Sequence, residues 1–193
     1  ARIVATGSAL PERGVTNADR EKIVDTTDEW IRSRTGIRQR HIAADGETTG
    51  DLAVQAAQNA LQAAGVKASE LDLIILGTTT PDIIFPSTAC LVQHNLGIKK
   101  HIGAFDMGAA CSGFVYALAT GAQFIQNGSY KNILVVGAET LSRVVDYTDR
   151  NTCILFGDGA GAAVLTASDD PAVGLQSFHL GANGDGATLL QIP

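Results

Sequence analysis

The chain has 193 residues, enough for one sizeable domain or for one domain plus the start of another. Hydrophobic residues make up 45% and the net charge is -6, with the basic side chains scattered, so no nucleic-acid footprint is present. The apolar runs are too short for a membrane span, the first residues lack a signal-peptide pattern, and the 3 cysteines lack small-secreted-domain spacing, so they read as free thiols of a reducing cytoplasm.

In chain order, residues 2–6 (RIVAT) read as a strand. Asn17 is placed to cap a short helix through residue 24, and Asp28 another through residue 33. Residues 49–64 hold the clearest amphipathic pattern. Leu52, Ala53, Ala56, Ala57, Ala60, Leu61 and Ala64 form one stripe, Gln55, Gln58, Asn59 and Gln62 the other, and Gly65 stops the helix. LDLIILGTT (71–79) is a near-continuous apolar run, as expected of a strand covered on both faces. Pro86 opens a helix that closes at Gly97, and GAFDM (103–107) is the next strand. The helix over 112–126 is apolar almost all round, with Tyr116, Thr120, Gln123 and Asn127 as a narrow polar stripe, and is expected to be mostly buried. NILVVGAE (132–139) is another covered strand, and residues 152–167 read as two strands around a glycine turn. Residues 169–171 read as a linker, and VGLQSFHLGANGDG as the first strand of a second domain, cut short. Alternating strands and helices give an α/β fold, with helices layered on a largely parallel sheet.

The segment AACSGF (109–114) carries the sharpest chemical signal. It sets Cys111 between an apolar strand and an apolar helix, where unpaired backbone N–H groups and the helix dipole favour a thiolate. Small neighbours (Ala109, Ala110, Gly113) let a substrate approach the backbone, and a thiolate there suits acyl transfer. A buried structural cysteine is the plainer reading of any lone cysteine, and it is the one given to Cys90, in mid-helix, and Cys153, in a β-type run. GDGAGA (157–162) matches a dinucleotide fingerprint only superficially, because it leads from a strand into a β-like run; a glycine hairpin fits better. DEWIRSRTGIRQR (28–40) gathers the sole tryptophan with Arg32, Arg34, Arg38 and Arg40, and His41 follows. A solvated helix and loop is the plain reading. A nucleotide-phosphate site, with Trp30 as stacking platform and Arg34 as forked cation, is the functional one. Arg150 is a second candidate cation, no histidine stands in a context that marks it as a base for Cys111, and no Cys or His spacing resembles a metal site.

Several motifs in order, TGSALPERGVTNADREKIVDTTDEWIRSRTGIRQRHIA, LIILGTTTPD, FPSTAC, AFDMGAACSGF, LVVGAETLSR and TDRNTCILFGDGAGAAVL, resemble the β-ketoacyl-acyl-carrier-protein synthase III family of thiolase-superfamily condensing enzymes. The resemblance implies a thiolase-like layered αβαβα fold. Residues 1–170 would be the N-terminal half carrying the nucleophile, and residues 171–193 the start of the C-terminal half, which is cut short or continued elsewhere. It implies that Cys111 accepts an acyl group from acyl-CoA, acetyl-CoA first among them, and that condensation with malonyl-acyl-carrier protein follows. Trp30 and Arg150 match the family's adenine-stacking pair, Thr26 and Arg34 other CoA-contacting positions, and Phe85 a position that reaches the acyl pocket across a homodimer. The CoA thioester is then a substrate, no cofactor or metal is implied, and neither nucleic acid nor membrane is a partner. The His and Asn that assist condensation belong to the family's second half, and their motifs are absent from these residues. The alternatives are another CoA-dependent Claisen-type enzyme, such as a polyketide starter synthase or a 3-hydroxy-3-methylglutaryl-CoA synthase, and a non-catalytic partner subunit.

Overall fold

The computed structural model describes residues 1–192. A five-stranded sheet runs in the order β1 (Arg2–Ala9), β7 (Asp158–Thr166), β6 (Asn132–Thr140), β4 (Leu73–Gly77) and β5 (Gly103–Met107). Two short strands, β2 (Gly14–Thr16) and β3 (Gln39–His41), pair separately. The helices are α1 (Asn17–Arg20), α2 (Asp28–Thr35), α3 (Thr49–Ala64), α4 (Thr88–Asn95), α5 (Gly113–Gln126) and α6 (Arg150–Cys153).

Side-chain alternation along the strands builds two cores, one on each face. Ile74 and Leu76 of β4, Leu134 and Val136 of β6, and Val164 of β7 face the buried alanine stripe of α3 and Ala89 and Val92 of α4. Leu73 and Ile75, Ile133 and Val135, and Leu165 face Ala117 and Ile125 of α5. All five residues of β4 are buried, which explains its unbroken apolar run. Each such side chain contributes about 2 kcal/mol by leaving water. Asp72 closes the opposite end of the sheet, accepting from the Lys131 and Asn132 amides (2.9 and 3.1 Å) and from Lys100 Nζ (2.7 Å).

The layered α/β architecture is as expected, but several local expectations give way. The sheet is mixed rather than largely parallel. Strand β4 is parallel to β5 and β6, whereas β7 is antiparallel to both β6 and β1. The chain leaves β6 and re-enters as β7 at the same end of the sheet, without the long crossover that a parallel neighbour needs. Residues 152–167 are accordingly not two strands. Cys153 closes α6, and Gly159 and Gly161 lie inside β7, paired with Glu139 and Gly137, so the glycine hairpin is absent. The helix caps are Thr16 and Thr27, one residue before those expected. The side chains of Asn17 and Asp28 are engaged instead with each other, at 2.7 Å. Helix α1 stops at Arg20, where the amides of Ile23 and Val24 both turn back to the Arg20 carbonyl. Helix α4 begins at Thr88 rather than Pro86. Beyond β7 the described residues form no strand; the segment expected to open one is held by the Leu175 amide on the Ala1 carbonyl (2.8 Å) and by Tyr116 Oη on that of Gly181 (3.3 Å). Helix α5 is covered by the sheet on one side only, and Val115 on the other is 50% exposed.

Where α5 starts, backbone meets backbone. A Cβ on Gly77 would lie 2.8 Å from the Gly113 carbonyl carbon, closer than atoms pack. Gly77→Ala is therefore expected to destabilise the fold by about 1–3 kcal/mol in thermal melts. Gly161→Ala, open to space on that side, is expected to melt like the unmodified protein.

Candidate active site

Every loop that carries a candidate residue leaves the sheet at one end. Strands β1, β4, β5 and β6 all point their C-terminal ends there, and β7 begins there. In open α/β sheets this end is the usual place for ligands.

Cys111 lies in a single 3-10 turn (Ala110–Ser112) between β5 and α5, and its side chain is exposed. Ala110, just before it, has φ +44, the one positive φ outside glycine among the described residues. A left-handed alanine costs about 1 kcal/mol, and the turn sharpens so that the next side chain projects from the strand end. Ser112, at the N-cap of α5, gives the helix no side-chain cap. The Ser112 and Gly113 amides turn back to the Ala109 and Ala110 carbonyls, and the positive end of the α5 dipole favours developing negative charge beside the thiol. The other two cysteines differ. Cys153 is fully buried, and burial pushes its thiol up, away from the reactive thiolate. Cys90 is half-buried, with Sγ 3.6 Å from the Ala104 carbonyl.

The second cluster is the predicted basic one. The guanidinium carbons of Arg34 and Arg150 each lie 4.4 Å from the centroid of the Trp30 ring. Arg150 comes from α6, far along the sequence, and also donates to the Asp25 carbonyl at 3.0 Å. Below them Ile31, Cys153 and Ile154 form a small core with Val24, Trp30, Val145 and Tyr147 around it, locking α2 to α6. Thr26 is half-buried nearby in sequence, and its hydroxyl is buried without a protein hydrogen-bond partner. The structure thus joins Trp30, Arg34 and Arg150; Cys111 and Phe85 stand outside this cluster, on other loops of the same sheet end.

Phe85 caps a third feature. The loop after β4 is pinned by carboxylates on both sides. Glu139 accepts from the Thr79 amide (2.8 Å) and the Thr80 hydroxyl (2.5 Å), Asp82 takes the Gly50 amide (2.8 Å), and Asp106 takes the Thr88 and Ala89 amides (2.7 and 2.8 Å). Between these anchors Ile84 and Phe85 are 99% and 86% exposed.

Residue-by-residue reading missed a buried arginine that bonds the end of α6. Arg40, grouped with the solvated basic residues, is only 4% exposed. It donates from Nε and Nη2 to the Ile154 carbonyl (2.9 and 2.5 Å) and from Nη1 to Asn17 Oδ1 (2.7 Å). A usable signal was its place in an alternating strand, QRH, where one side chain must face inward. Asp158 was missed too; it accepts from the Ala43 and Ser142 amides and the Ser142 hydroxyl, tying the loops after β3 and β6 to β7.

Residues 105–184 match the family model described as 3-oxoacyl-[acyl-carrier-protein (ACP)] synthase III. The β-ketoacyl-[acyl-carrier-protein] synthase III of Xanthomonas campestris pv. campestris strain 8004 is 62% identical over 192 residues, covering 100% of this chain and 58% of the relative. The chain is similar along its whole length to β-ketoacyl-acyl-carrier-protein synthase III proteins. Among solved structures, synthase III from Pseudomonas aeruginosa PAO1 superposes with a TM-score of 0.92 at 44% identity, over 100% of this chain and 60% of that one. Synthase III from Aquifex aeolicus VF5 gives 0.85 at 56% identity, over 88% and 55%. The chain therefore spans about three-fifths of the length of these synthases, and its sheet with helices on both faces is part of the thiolase-like fold.

Asp28 is expected to make the tryptophan cluster acid-sensitive. The Asn17 amide, then Arg32 and Arg38, hold its carboxyl below the ordinary value against the opposing cost of burial. A carboxyl depressed in the folded state adds stability above its unfolded pKa of about 3.9 and loses it as pH falls through the lower folded value. Trp30 emission is expected to change on acidification below that range, and Asp28→Asn to remove this component from the titration.

Proposed function

We propose that the protein is an acyltransferase that initiates type II fatty acid synthesis, with Cys111 as acyl acceptor. The carrying observation is an exposed cysteine on a strained strand-to-helix turn, at the same sheet end as a tryptophan stacked by two arginines. Similarity along the whole chain to synthase III proteins supports it.

The Cys111 thiolate attacks the thioester carbonyl of an acyl-CoA, and the carbonyl oxygen takes the negative charge. The Cys111 backbone N–H and the positive end of the α5 dipole stabilise that oxyanion. The carbon–sulfur bond to CoA then breaks, CoA leaves as a thiolate that takes up a proton, and the acyl group stays on Cys111. Malonyl-acyl-carrier protein follows, loses carbon dioxide, and its enolate carbon attacks the acyl-enzyme, releasing Cys111 and the 3-oxoacyl product. The family's His and Asn stabilise the enolate in this reading, from a second half that residues 171–193 begin. Decarboxylation drives the carbon–carbon bond, so the scheme calls for no cofactor beyond its thioester substrates.

Trp30 and Arg150 hold the adenine of CoA, with Arg34 supplying a fixed cation for its phosphates and Thr26 a hydroxyl. Arg34 and Arg150 already lie on the indole, so adenine displaces one of them from the ring and stacks between the two residues. Phe85 and its exposed neighbour Ile84 suit burial against a second copy, where Phe85 lines the acyl pocket of the partner.

Mass spectrometry of the protein after incubation with acetyl-CoA is expected to find the acetyl group on Cys111, and Cys111→Ala to abolish it. Absence of any adduct with short acyl-CoAs would overturn the assignment. Trp30→Ala is expected to raise KM for acyl-CoA about tenfold with a smaller change in kcat, because it removes binding remote from the reacting carbonyl; steady-state kinetics decide this.

A further inference from the structure

We infer that Arg40 and Asn17 form a positioning relay that sets the gap between Trp30 and Arg150, and so the affinity for the adenine end of CoA. The inference rests on the CoA reading of the tryptophan cluster.

Trp30 and Arg150 come from two helices with no direct hydrogen bond between their backbones among the described residues. Helix α6 has only four residues, too few to hold its own direction. Its last carbonyls need partners, and Ile154, immediately after α6 and one turn beyond Arg150, gives its carbonyl to two nitrogens of Arg40. The third arm of the same fork reaches Asn17 Oδ1. The Asn17 amide then donates to Asp28 Oδ1 (2.7 Å) and to the Ile37 carbonyl (2.8 Å). Asp28 is the first residue of α2 and Ile37 follows its end, so Asn17 grips both ends of the helix that carries Trp30 and Arg34. One planar guanidinium and one amide thus connect the carrier of Arg150 to the carrier of Trp30.

The burial of these groups gives the connection its stiffness. Arg40 is 4% and Asn17 1% exposed, so water cannot replace a lost bond in place. A forked donor is needed as well as a charge. Lysine has a single ammonium that cannot address the Ile154 carbonyl and Asn17 in the same plane. The effect on ligand passes through α2 and α6.

Trp30 is the only tryptophan of the chain, so its fluorescence reads this gap directly. Arg40→Lys and Asn17→Ala proteins are titrated with CoA and with adenosine 3′,5′-bisphosphate, which carries the nucleotide end alone. Circular dichroism melts check that each variant is folded. Both ligands are expected to bind about fivefold or more weakly to each variant, and Trp30 emission to shift before any ligand is added. Equal affinity for unmodified protein and variants, with unchanged ligand-free emission, would overturn the relay. Full affinity in Arg40→Lys would also overturn it, since charge without the fork would then suffice. If the unmodified protein bound neither compound, the CoA reading would fall, and the ligand-free emission of the variants would still decide whether Arg40 and Asn17 set the gap.

Discussion

Contact between two backbones, with no side chain between them, governs the layout of this molecule. Helix α5 can start over the end of β4 because Gly77 lacks a Cβ, and the facing Gly113 leaves little room for one. That closeness fixes where α5 begins, and Cys111 sits in the turn immediately before it. The rest of the sheet reinforces the same point. Branched side chains of β4 and β6 fill both faces, so the strands cannot slide without turning buried residues toward water. The turn that carries Cys111 is thus bounded by a five-residue strand before it and a wedged helix after it.

Around this fixed point the chain arranges two softer units of different construction. The tryptophan cluster stands on a small core of its own, and polar groups align its halves. The apolar tip after β4 hangs between carboxylates that grip amides and hydroxyls. Both units use buried or half-buried charge as a locating pin, a use that gives direction more than it gives net stability. Both are also built from pairings across long stretches of sequence.

This division explains what the sequence made legible. The two-faced strands β4 and β6 and the alanine stripe of α3 follow from local periodicity, and they appear almost where that periodicity places them. The position of Cys111 followed from its place between an apolar strand and an apolar helix. The contact of Arg150 with Trp30 was implied by family resemblance and was invisible to spacing. The role of Arg40 escaped altogether, because its carbonyl partner lies in Ile154, far along the chain, and a carbonyl carries no residue-type signal. Strand β7 was misread for a related reason. Its glycines look like a turn in isolation, and only the neighbours on either side, β1 and β6, hold them extended.

The left-handed backbone at Ala110 bears on which sequences this turn can tolerate. A positive φ admits glycine, asparagine or aspartate readily and punishes valine, isoleucine or threonine. Variation beside Cys111 is thus filtered by backbone angle before any chemistry is consulted. A library randomised at this one position would return small or turn-forming residues even if it were selected for folding alone.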